Sequence, residues 1–115
     1  SGYQLIEVPL EAIAWGRSGD KGNKANIGII ARHRNLLPYI WDTFSEEKIV
    51  EIFSHFLEND KIDRHYLPGI SGVNYVLHDV LGGGGTTSLR NDPQGKGYAQ
   101  ILLSCKISVP KNLLV

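Results

Sequence analysis

Two stretches of the chain combine glycine with cations, hydroxyls and amides, the mixture that holds an oxyanion. The first runs from Arg17 to Asn26. Gly16, Gly19 and Gly22 free the backbone to turn sharply and aim successive N–H groups at one spot. Arg17, Lys21 and Lys24 supply positive charge, while Ser18, Asp20, Asn23 and Asn26 supply hydrogen bonds. Such a loop suits a phosphate or a carboxylate. It is not a P-loop, because no Gly-Lys-Ser/Thr ending opens a helix, and a following strand excludes a dinucleotide fingerprint. A plain polar hairpin uses the same residue types.

The second stretch is Gly82-Gly83-Gly84-Gly85-Thr86-Thr87-Ser88-Leu89-Arg90. Four consecutive glycines cost much backbone entropy on ordering, and a helix end needs only one. The surplus suggests a mobile lid or a backbone that something approaches closely. Thr86, Thr87 and Ser88 offer hydroxyls and Arg90 a guanidinium, again suited to an oxyanion. The bland alternative is a flexible connection. Asn91-Asp92-Pro93-Gln94-Gly95 reads as a turn into the last strand.

Proton-transfer chemistry has two weak candidates, Asp20 and His78. His78 follows Asn74 by four residues, on the polar side of an expected helix, and serves as a general base only with a positioned partner. His33, His55 and His65 have no metal-like spacing, so neither a metal nor a cofactor is expected. Ser18 does not sit in a Gly-x-Ser-x-Gly elbow. Cys105 alternates onto an apolar strand face and reads as an inert thiol. Trp15 borders the first loop, where it can wall a pocket.

The elements that position these residues follow from apolar spacing. Leu5 to Trp15 and Ala25 to Arg32 read as strands, as do Lys61 to Leu67 and the cleanly alternating Tyr98 to Val109. Ile49, Ile52, Phe53, Phe56 and Leu57 form a helical stripe, capped by Ser45 or Thr43 with Glu46 and Glu47 in the first turn. Val73, Val76, Leu77, Val80 and Leu81 repeat that spacing and predict a second helix, with Ser71 as cap and Gly82 as stop. The expected fold is α+β: a two-layer sandwich of a four-stranded, mainly antiparallel sheet with two helices on one face, ferredoxin-like, as a single domain over 1–115.

Composition narrows the function classes. Hydrophobic residues make up 42% and charged residues 21%, ordinary for a folded domain. Twelve basic residues balance twelve acidic ones, and Arg32-His33-Arg34 is too short for a phosphate-backbone track, so nucleic acid is not an expected partner. No apolar run reaches the roughly 18 residues that cross a bilayer, so no membrane partner is expected. No basic-then-apolar opening marks a signal peptide. A lone cysteine forms no internal disulfide, which fits the cytoplasm.

Arg17-Ser18-Gly19-Asp20-Lys21-Gly22-Asn23, then Ala25-Asn26-Ile27-Gly28, together resemble a known family. So do Leu67-Pro68-Gly69, Asn74-Tyr75-Val76-Leu77-His78, Gly82 to Gly85, Ser88-Leu89-Arg90 and Gln94-Gly95-Lys96. In this order they are similar to the C-terminal, ferredoxin-fold-like domain of the acyclic terpene utilisation protein A family, over roughly Ile13 to Val109. The resemblance implies a role in the bacterial breakdown of acyclic terpenoids and branched acids, beside acyl-CoA carboxylases. It implies either a piece excised from a longer protein or a short stand-alone member, and transfers no catalytic residue.

Three functions remain open on the sequence. The leading one is an accessory domain holding an anionic small molecule, an acyl-CoA or a carboxylate, between the two loops. Arg17, Lys21 and Arg90 would pair with the anion, and Gly19, Gly22, Gly83, Gly84 and Gly85 would donate N–H groups. Ser18, Asp20, Asn23, Asn26, Thr86 and Ser88 would complete the shell. The second is an oligomerisation or docking module for a larger catalytic domain or carboxylase, using a sheet edge or Leu102. The third is an enzyme on a CoA-linked substrate, with Asp20 or His78 as acid or base.

Overall fold

The computed structural model describes residues 4–81 and 97–114. In chain order the elements are β1 (Leu5–Pro9), β2 (Ala14–Lys21), β3 (Lys24–Ala31), α1 (Leu37–Thr43), α2 (Glu46–Phe53), β4 (Ile62–Leu67), β5 (Gly72–Leu77), α3 (Gly97–Leu103) and β6 (Lys106–Pro110). β2, β3, β5 and β4 form an antiparallel four-stranded sheet in that spatial order, and β1 pairs with β6 in a separate antiparallel ribbon. The helices pack on one side of the larger sheet, giving the α+β sandwich expected from the apolar patterning.

Alternation decides which side the helices take. Along β3, Ala25, Ile27, Ile29 and Ala31 are buried while Lys24, Asn26 and Ile30 face out. On β5 the buried set is Val73, Tyr75 and Leu77. These residues meet Ile40 and Phe44 of the α1 segment, Ile49 and Phe53 of α2, and Leu102 of α3 in one core. Each large apolar side chain buried this way contributes about 1.5–3 kcal/mol. No charged or polar residue is buried among the described residues, so the core holds no ion needing compensation.

The α2 segment follows its expected logic. Ser45 Oγ accepts from the Lys48 N–H at 3.1 Å, with Glu46 and Glu47 in the first turn, and the chain tightens to a 3-10 turn at Ser54–Phe56. The α1 helix was not anticipated. Leu36, Leu37, Ile40 and Phe44 point inward, and Pro38 stands in its first turn, where a missing N–H costs nothing.

Three elements differ from the sequence reading. Leu5 to Trp15 is not one strand: a 3-10 turn at Leu10–Ala12, with Leu10 buried, breaks it, so β1 joins the ribbon and β2 the larger sheet. Residues 72–77 form a strand rather than the start of a helix. Val73 and Leu77, which fit a 3.6 period, also fit Val73-x-Tyr75-x-Leu77, and pairing with β3 on one side and β4 on the other settles the ambiguity. Ser71 is accordingly no helix cap but a left-handed turn residue with φ of 56°. Gly97–Leu103 is a helix rather than the first half of a strand, and only Lys106–Pro110 is extended. Tyr98, Ala99 and Leu102 are buried at helical spacing, and good helix formers fill the segment. Ser104 N–H bonds back to Gln100 O at 3.1 Å and its hydroxyl to Ile101 O at 2.7 Å, ending the helix before the β-branched Ile107 and Val109. Leu102 is therefore fully buried and offers no docking surface.

Candidate functional site

The stretch from Arg17 to Asn26 is not a loop. It comprises two long strand arms joined by the two-residue turn Gly22-Asn23, in which Gly22 has φ of +66°. Glycine at the first central position, with ordinary negative φ at the second, is the tight turn that suits strand twist. Asn23 is committed to holding this tip. Its amide donates to Asp79 Oδ1 at 3.2 Å, its carbonyl accepts from Val80 N–H at 2.9 Å, and Asn59 donates to the other Asp79 oxygen at 2.9 Å.

Strand alternation then sorts the expected site residues between two faces. Ser18 and Asp20 lie on the helix-packed side, in register with Ile27 and Ala25. Arg17, Gly19, Lys21 and Asn26 lie on the opposite, open side. Gly83, Gly84, Gly85, Thr86, Ser88 and Arg90 fall outside the described residues. Near both ends of that stretch, described residues meet the β2–β3 hairpin. Val80 bonds to Asn23, and a Cβ added at Gly97 would lie 3.9 Å from Ser18 Oγ.

Register lays out the open side in rows. Trp15 is level with Ile30, Gly72 and Leu67; Arg17 is level with Gly28, Asn74 and His65. Next come Gly19, Asn26, Val76 and Asp63, and at the hairpin tip Lys21 faces Lys24. The face thus passes from apolar, through amides and a guanidinium, to paired lysines. A groove of about 740 Å³ runs over its first three rows, walled by Trp15, Leu67 and Ile70 and reaching Arg17, Asn26 and His65. That volume lies within the range of small-molecule sites.

Three local contacts shape the groove. The Arg32 guanidinium stacks 4.5 Å from the Trp15 ring centroid and donates to the Glu11 carbonyl, holding the indole as a wall. Asn26 donates to Asn74 Oδ1 at 3.3 Å across the two inner strands. Gly28 keeps the floor low, since a Cβ there would meet nothing closer than 3.8 Å and would project into the groove.

The imidazole of His78 has a partner that sequence did not reveal. His78 follows β5 on the open side, and its Nε2 lies 2.5 Å from Asp63 Oδ2 of β4. This hydrogen bond holds the Asp63 carboxyl below its ordinary range. Asp20 alternates onto the other side of the sheet. Burial pushes the Cys105 thiol up, so it is a poor nucleophile. No three His, Cys, Asp or Glu side chains converge as a metal site among the described residues. No helix of the described residues is long and apolar enough to cross a membrane.

His65, Asn74, Ile30, Leu67 and Ile70 are among the groove residues that sequence reasoning left out. Their signal was the alternation of 72–77, visible only once that segment is a strand between two others. Trp15 was placed beside a pocket by its proximity to the first glycine cluster, and it stands there.

No curated protein and no solved structure matches the chain significantly. A protein-family model does, the AtuA ferredoxin-like domain, over residues 8–108. That span takes in the four-stranded sheet, the three described helices and the whole groove, and part of each ribbon strand, so the chain belongs to the AtuA ferredoxin-like domain family.

Proposed function

We propose that this is an accessory binding domain that holds an anionic small molecule with an apolar chain, an acyl thioester or a branched carboxylate, on the open face of its four-stranded sheet. The observation that carries the reading is the ordered passage from Trp15, Ile30, Leu67 and Ile70 to Arg17, Asn26, Asn74 and His65 within one groove. A hydrocarbon chain would lie on the first set, and the carboxylate of a free acid or the polar linkage of a thioester against the second. Arg17 is the principal anion partner, because a guanidinium pairs bidentately with carboxylate or phosphate. Gly19 and Gly28 admit the ligand close to the backbone. The resemblance to a family tied to acyclic terpenoid and branched-acid breakdown, a cytoplasmic process, points to the same ligand class.

Thermal melting of the purified domain against acyl-CoAs, free branched acids, nucleotides and phosphate tests this. A ligand at about 100 times its dissociation constant adds roughly 2.7 kcal/mol, a shift of about 10 °C or more for a domain of this size. The shift should shrink strongly in Arg17→Ala. An unchanged shift in that variant would remove the site from Arg17.

One observation favours a second reading, in which the same face seats another protein, either a second copy or a larger catalytic domain. Trp15 is 54% exposed, Ile70 57%, Ile30 41% and Leu67 39%, a large apolar share for one uncovered sheet face. Light scattering decides: a dimer that dissociates in Ile70→Asp, with no ligand shift in the parent, would favour the protein partner.

A further inference from the structure

The hairpin tip carries an arrangement that the groove alone does not explain. Lys21 and Lys24 stand directly opposite each other in register, both exposed on the open side. Like charges directly opposed across an antiparallel pair are destabilising. Among the described residues neither lysine forms an ion pair with a carboxylate. The base beneath them is nonetheless held firmly by Asn23, Asp79 and Val80. Two exposed lysines held opposite each other at a braced hairpin tip are a seat for a multiply charged anion bridging both.

We propose that the ligand is a phosphorylated amphiphile laid along the strands, with its phosphates between Lys21 and Lys24 and its apolar chain among Trp15, Ile30, Leu67 and Ile70. This rests on the binding reading above and narrows it. Lys21 lies six positions after Trp15 on β2, about 20 Å at the usual strand rise. A short or branched fatty carboxylate, such as octanoate at about half that length, carries its charge directly on the end of its chain and cannot reach both regions. A CoA thioester can, because a long arm with two amide groups separates its phosphates from its acyl group. The stretch between the two regions is lined by the Asn26 and Asn74 amides and floored by Gly28 and Gly19, suited to an amide-bearing arm lying close to the sheet.

Titration calorimetry of the whole chain with octanoyl-CoA, octanoate and CoA tests the assignment. Octanoyl-CoA should bind at least about tenfold tighter than octanoate or CoA, since it alone engages both ends. Lys21→Gln combined with Lys24→Gln should weaken octanoyl-CoA and CoA by about tenfold and leave octanoate unchanged. Added salt should weaken the CoA compounds more than octanoate in the parent, and this difference should vanish in the double variant. Both substitutions are at exposed sites, and an unchanged melting temperature without ligand would show that the variant folds. Equal affinity for octanoate and octanoyl-CoA, with no effect of the lysine changes, would overturn the phosphate assignment and leave the Arg17 site standing. Binding of none of the three would overturn both.

Discussion

Asn26 of β3 donates its side-chain amide to Asn74 of β5 at 3.3 Å, tying the two inner strands together at the middle of the open face. The two residues are diagonal rather than direct neighbours, since Asn74 is level with Gly28 and Asn26 with Val76. An exposed amide pair contributes little stability, about 0.5–1.5 kcal/mol. Asn74→Val, which keeps strand propensity, should therefore move the melting temperature by only a few degrees while reducing affinity for octanoyl-CoA severalfold. Calorimetry and a melt on the same sample check both halves.

Gly16 and Gly28 lie on opposite faces of the same strand pair and should respond in opposite ways to a methyl group. A Cβ at Gly16 would stand 3.0 Å from Ile29 Cδ1 and from Leu103 Cδ1, so α3 is seated on β2 through this gap. Gly16→Ala should destabilise the domain by about 1–3 kcal/mol through overpacking, read as a lower denaturation midpoint. Gly28→Ala should leave the midpoint nearly unchanged and impair ligand binding.

The carbonyl end of α1 is held by two side chains from the sheet. Tyr75 Oη donates to Phe44 O at 2.7 Å, and Arg64 Nη1 donates to Trp41 O at 2.5 Å while its guanidinium lies 3.5 Å over the Trp41 ring. Burial raises the Tyr75 hydroxyl well above the ordinary phenol range, so it remains a donor at neutral pH. Tyr75→Phe should cost about 1 kcal/mol, or about 4–8 °C in melting temperature. Ligand affinity should survive, because these contacts lie on the helix side.

The Asp63–His78 pair gives stability a dependence on acid. Its folded-state carboxyl titrates below the ordinary aspartate value of 3.8, so the contribution is present above that value. It is lost as pH falls through the lowered folded-state value. Melting temperature against pH should therefore steepen on the acid limb, and Asp63→Asn should flatten that part of the curve. Asp63 is exposed, so the effect should be small; identical acid limbs in parent and variant would exclude the coupling.

Sequence patterning was most legible where one period dominated. The Ile49–Phe56 stripe admits no strand reading, and Ser45 before two glutamates marks its start. Lys61 to Leu67, stopped by Pro68-Gly69, was likewise readable as a strand. It failed where two periods coexist. Val73, Val76 and Leu77 satisfy a helix, while Val73, Tyr75 and Leu77 satisfy a strand, and only pairing with Ile29 and Tyr66 decides. Tyr98 to Leu103 fails in the converse way, since apolar residues fill both candidate faces and packing against β2 selects the helix. The candidate site suffered from the first error. Arg17, Lys21 and Asn26 were recognisable by chemistry, but Asn74 and His65 join them only because β5 lies between β3 and β4.

The β1–β6 ribbon places Leu5 opposite Pro110 and Pro9 opposite Lys106, pairing segments from the two extremes of the described chain. Closing so long a loop is entropically slow, so this ribbon should be a late step in folding and the first part to fray under force. The same closeness makes the domain a natural candidate for circular permutation. A short turn linking the two strands would make a local hairpin of a distant pairing, and new ends could open at the exposed turn before β4 without cutting the groove.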